Sequence, residues 1–149
     1  MAVGGERLRV SLSRQPAMRM TRAGLAHEHV VHVLVTRTPV KYPRGRSRVV
    51  AIGMSHHGVA SVASSLARRA EEILVRRGIS ECDVRVVTWR GRRRARAWEK
   101  LERAMLLVFR ETFGEMPIGN TQGKSLREQD EFQYFSRQSV RNVILELSE

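Results

Sequence analysis

One carboxylate, Glu102, stands in an otherwise apolar helical stretch, Lys100 to Asn120, that reads KLERAMLLVFRETFGEMPIGN. An ionised carboxylate leaves water reluctantly. Glu102 borders the apolar stripe one turn before Leu106, so it either turns to solvent or is held at the stripe for its chemistry. Just beyond Gly114, Pro117 and Asn120 bound a tight loop that runs on as Asn120-Thr121-Gln122-Gly123-Lys124. Asn120 reads there as a turn former. Two further groups that move protons near neutral pH, His56 and His57, sit together before Gly58.

The elements that would position these groups follow from periodicity. Residues 29–36, HVVHVLVT, are β-branched and apolar, and predict a buried strand. Residues 37–47, with Pro39, Pro43 and Gly45, predict a basic loop, and residues 48–54 a second strand. So short a connection favours an antiparallel pairing. Val59, Val62, Ala63, Leu66, Ala70, Ile73 and Leu74 recur at helical spacing and predict a helix ending at Gly78, with Arg68, Arg69, Arg76 and Arg77 off its apolar face or at its end. Residues 82–88 predict a third strand. A helix from about residue 95 to 113 buries Leu101, Met105 and Val108, and a last helix spans about 136–147.

Charge sets the partner. The chain has 149 residues with 27 Lys and Arg against 15 Asp and Glu, a net charge of +12. The excess is mostly arginine, whose planar fork suits phosphate, so the expected partner is nucleic acid, DNA ahead of RNA. The expected contacts are Arg44 and Arg46 in the first loop, then Arg90, Arg92, Arg93, Arg94 and Arg96 in a run flanked by Trp89 and Trp98, and Lys124. The tryptophans read first as packing residues and second as base-stacking platforms. A single cysteine, Cys82, rules out an internal disulfide, and no apolar run reaches the roughly 18 residues of a membrane span. A reducing cytoplasm is the expected setting. Residues 1–28 hold Arg7, Arg9, Arg14, Arg19 and Arg22 with few large apolar groups, and read as a basic, flexible arm before one domain at 29–149.

The order of strand, strand with Ile52-Gly53, helix, strand, long helix with Glu102, then Pro117 and Asn120 resembles the GIY-YIG nuclease superfamily over about residues 29 to 124. The segments Trp98-Glu99-Lys100-Leu101-Glu102-Arg103-Ala104 and Asn120-Thr121-Gln122-Gly123-Lys124 resemble a bacterial branch of uncharacterised GIY-YIG-type proteins. The resemblance implies an α+β fold: a small three-stranded antiparallel sheet flanked by helices, ββαβα with a C-terminal helix added. It also implies phosphodiester hydrolysis with one divalent ion, Mg²⁺ or Mn²⁺, held by Glu102 and braced by Asn120. Three family positions differ. The first motif's tyrosine falls at His32, where an imidazole could orient or deprotonate water. The second motif's tyrosine falls at Ala51, and the helix arginine at Ser61, which brings no charge to a phosphoryl group. His56 or His57 is the expected stand-in. The alternative is a degenerate relative that only binds DNA or RNA, or a component of a nucleoprotein assembly.

Overall fold

The computed structural model describes residues 9–12, 14, 30–55, 69, 72, 73, 75, 78, 79, 81–87, 96–120 and 131–149. Three strands, β1 (Val30–Tyr42), β2 (Gly45–Ser55) and β3 (Cys82–Val87), form one antiparallel sheet in the order β2-β1-β3. Among the described residues two helices follow β3, α1 (Ala97–Phe113) and α2 (Arg137–Ser148), making the fold α+β. Residues Val31 to Thr36 of the central strand are all buried, which is why that stretch is a continuous apolar run instead of an alternating one. Among the described residues, no helix is long and apolar enough to cross a membrane.

The expected loop at 37–47 is instead the far half of a long hairpin. β1 continues to Tyr42 and β2 starts at Gly45, with Tyr42 opposite Gly45 and Lys41 opposite Arg46. Pro39 argues for a loop because proline cannot donate to a ladder. It lies where the register jumps, between the Val35–Val49 and Val40–Ser47 pairs, so no ladder bond is asked of it. The irregularity is closed by side chains: Arg48 Nε donates to Thr36 O at 2.7 Å, and Thr36 Oγ1 donates to Thr38 O at 2.7 Å. At the tip, Gly45 has φ 129°, a value side chains resist.

The tip also ends α1. Arg44 donates its main-chain N–H to Phe113 O at 3.0 Å and its guanidinium to Glu111 O at 2.9 Å. Gly114, with φ 89°, returns its N–H to Arg110 O at 2.8 Å. Together these satisfy carbonyls that a helix C-terminus leaves open.

Side chains alternate across the sheet. Val31, Val33, Val35, Val49 and Ile52 share one core with Leu101, Met105, Val108 and Phe109 of α1 and Val140 and Ile144 of α2. Tyr42, Phe109 and Phe113 close it, with Tyr42 and Phe109 edge to face at 5.0 Å. The buried Tyr42 hydroxyl donates to Val49 O at 2.7 Å and accepts the Ile118 N–H at 3.2 Å. A buried chain of hydrogen bonds fixes α2 on β2: Val49 N to Ser47 Oγ, Ser47 to Ser148 Oγ, and Ser148 to Ile144 O. On the opposite face Leu34, Val50 and Ala51 pack with Ile73, which lies in a helical stretch. A β-bulge leaves Val50 without a partner on β1, so both Val50 and Ala51 serve this second cluster.

Candidate functional site

β2 is an edge strand of the sheet, and the loop after α1 closes that edge. Gly119 donates its N–H to Val50 O at 2.7 Å. Asn120 then grips Ile52 from both ends of its amide: Oδ1 accepts the Ile52 N–H at 2.9 Å, and Nδ2 donates to Ile52 O at 2.8 Å. The Asn120 N–H bonds Pro117 O at 2.9 Å, which holds the turn that presents the amide. The side chain therefore does the work of one more strand residue. Gly119 must be glycine for this approach, because a Cβ there would lie 2.8 Å from Val50 O and 2.8 Å from Ile73 Cδ1.

One residue further along β2, Gly53 pairs with His32 across the ladder. A Cβ on Gly53 would lie 2.6 Å from His32 Nε2 and 3.5 Å from Arg69 Nη1. The imidazole and the guanidinium thus flank the space a side chain would take. Arg69 Nη1 also reaches Ile52 O at 3.5 Å, the outer limit of a hydrogen bond. Arg69 was read from the sequence only as a cation off the apolar face of its helix. A half-buried arginine cannot be told from a solvated one by periodicity alone. His32 is 3% exposed, so its ring is first a packing partner of Gly53.

The Ile-Gly pair accordingly has a mechanical reason. Gly53→Ala drives a methyl into the His32 ring, an overpacking that should cost about 1–3 kcal/mol. Chemical denaturation reads the loss. His32→Ala in the same chain vacates the clash and should recover part of it; an additive pair of losses would mean that the two residues do not meet.

Glu102 is 1% exposed, which excludes the reading in which it turns to solvent. Its helix packs on the sheet face of Val31, Val33 and Val35, whereas His32 and Gly53 lie on the other face. The structure thus gathers His32, Arg69 and Asn120 around Ile52 and Gly53, and carries Glu102 on the element across the sheet. His56 and His57 fall outside the described residues. Among the described residues no three His, Cys, Asp or Glu side chains gather as a metal site. Mg²⁺ and Mn²⁺ keep several waters and need an approach for phosphate. The burial of Glu102 does not fit such an ion at that carboxylate.

Of the expected phosphate contacts, Arg44 is exposed but anchored on α1, and Arg46 is exposed on the hairpin. Arg96 begins α1 with φ 57° and pairs with Glu99 at 2.9 Å. Arg90, Arg92, Arg93, Arg94 and Lys124 lie outside the described residues, as does Trp89. Trp98 packs at the margin of the main core. Lys41, which is not among the contacts expected from the sequence, stands directly opposite Arg46 on the ladder. Cys82 is a poor nucleophile at neutral pH: burial pushes its thiol up, and the neighbouring Asp83 adds to this. No protein-family model, curated protein or solved structure matches the chain.

Proposed function

We propose that this chain is a nucleic-acid-binding domain whose β1–β2 hairpin contacts the phosphate backbone. One observation carries the reading. Lys41 and Arg46, both exposed, face each other across an antiparallel ladder. Like charges directly opposite destabilise a sheet. Between residues 30 and 55 there is no Asp or Glu to offset them, although Arg37, Arg44 and Arg48 lie on the same hairpin. Two cations held side by side are a liability in isolation and a receptor for a polyanion.

Fluorescence anisotropy with labelled duplex DNA, single-stranded DNA and RNA over a salt series tests this. Binding that falls steeply and log-linearly with salt is expected; absence of binding at low salt would refute it. A second reading, phosphodiester hydrolysis, has the resemblance to GIY-YIG nucleases behind it and the convergence of His32 and Arg69 over Gly53. It is checked on supercoiled plasmid with and without Mg²⁺ or Mn²⁺. Nicking by the parent chain that is lost in both His32→Gln and Arg69→Ala supports it, and intact plasmid rejects it. Glu102→Gln, run beside them, reports whether the buried carboxylate takes part.

A further inference from the structure

The two edges of the sheet are finished differently. β2 is closed by Gly119 and Asn120. On β3, Asp83, Val84, Arg85 and Val86 are all exposed, with Val84 at 44% and Val86 at 36%. An edge strand offers a row of N–H and C=O groups on which a further strand can pair.

The register fixes which groups this edge offers. Asn120 takes both the N–H and C=O of Ile52, so these point away from β1. Ile52 pairs with Val33, and Val33 with Arg85. Hydrogen-bonding direction alternates along a strand. The Val33 groups therefore point toward β3 and those of Arg85 point back. Cys82, Val84 and Val86 are left to present their N–H and C=O groups outward.

We propose that β3 pairs antiparallel with β3 of a second copy of this chain across a two-fold axis at Val84, making one six-stranded sheet. Such a symmetric pairing has three short registers, centred on residue 83, 84 or 85. The first sets Asp83 against Asp83, and the last sets Arg85 against Arg85. Only the middle one sets each Asp83 opposite the other copy's Arg85. Those are the non-hydrogen-bonded positions, where side chains approach closest. Neither residue has an ion pair within the chain among the described residues. On the opposite face the same register stacks Val84 on Val84 and Val86 on Cys82, covering the exposed apolar stripe. The occupant is a second copy because this short edge is complementary to itself in both charge and apolar pattern.

Sedimentation equilibrium of the full chain at high micromolar concentration, in salt that screens its net charge, should give a dimer. Arg85→Asp and Asp83→Arg should each give a monomer, and the double exchange should restore the dimer. Val84→Pro removes an outward N–H without touching the β1 ladder, and should also give a monomer with an unchanged far-UV spectrum. A monomeric parent chain overturns the proposal. So does a dimer indifferent to all three single substitutions, or a double exchange that stays monomeric.

Discussion

Asn120→Ala lowers the stability of the chain by about 2–4 kcal/mol, because it strips two bonds from a buried peptide group. Ile52 is 0% exposed, and its N–H and C=O both end on the Asn120 amide. A buried polar group left unsatisfied costs about 1–3 kcal/mol. Arg69 Nη1 stays 3.5 Å from the carbonyl and offsets little of this. The loss appears as a lower urea midpoint with an unchanged slope. Asn120→Asp separates the two bonds. Its carboxylate still accepts the Ile52 N–H but sets a second oxygen against Ile52 O. Protonation converts that oxygen to a donor, so this variant gains on the parent as pH falls. An Asn120→Ala chain as stable as its parent would mean that water replaces the amide and the edge clamp is dispensable.

The clamp also marks what could be read from the sequence. The three strands and both described helices follow from periodicity, and the β1–β2 pairing from the short connection; that the third strand joins the same antiparallel sheet is what the resemblance implies. What escaped was tertiary. That Asn120 reaches Ile52, 68 residues away in the chain, depends on the register of β2 and the angle at Gly114. Pro39 hid half a hairpin because a register jump excuses it from bonding. Arg69 is one of four arginines in a stretch read as a single helix, and nothing local marks it as turning inward. Glu102 stands out in the sequence by its polarity; its burial comes from α1 being covered on all but the face of Arg103, Arg110 and Glu111. The resemblance to GIY-YIG nucleases supplied an order of elements and a set of positions. The arrangement of His32, Arg69, Asn120 and Glu102 about the sheet had to come from packing.

On the proposed reading, Lys41→Glu should stabilise the hairpin and weaken nucleic-acid binding at once, which distinguishes a binding surface from a structural one. Lys41 and Arg46 stand opposite each other on the ladder and both are exposed. Replacing the repulsion with an opposite pair is worth about 0.2–1 kcal/mol to a sheet. If the hairpin is the proposed phosphate-contacting surface, the same substitution removes one phosphate contact and engages the arginine that would make a second. Each contact contributes about 0.9 to the slope of log affinity against log salt on duplex DNA. The slope should therefore flatten by about 2, with affinity at low salt falling roughly tenfold or more on every sequence tested. Arg46→Glu should do the same through Lys41, and the Lys41→Glu, Arg46→Glu double variant should lose the stability gain while binding weakest of the three. A core position cannot behave this way, because damage to packing lowers stability and affinity together. If Lys41→Glu leaves both affinity and slope unchanged, the hairpin is not the phosphate-contacting surface, and the cost of holding two cations together at its end must have another cause.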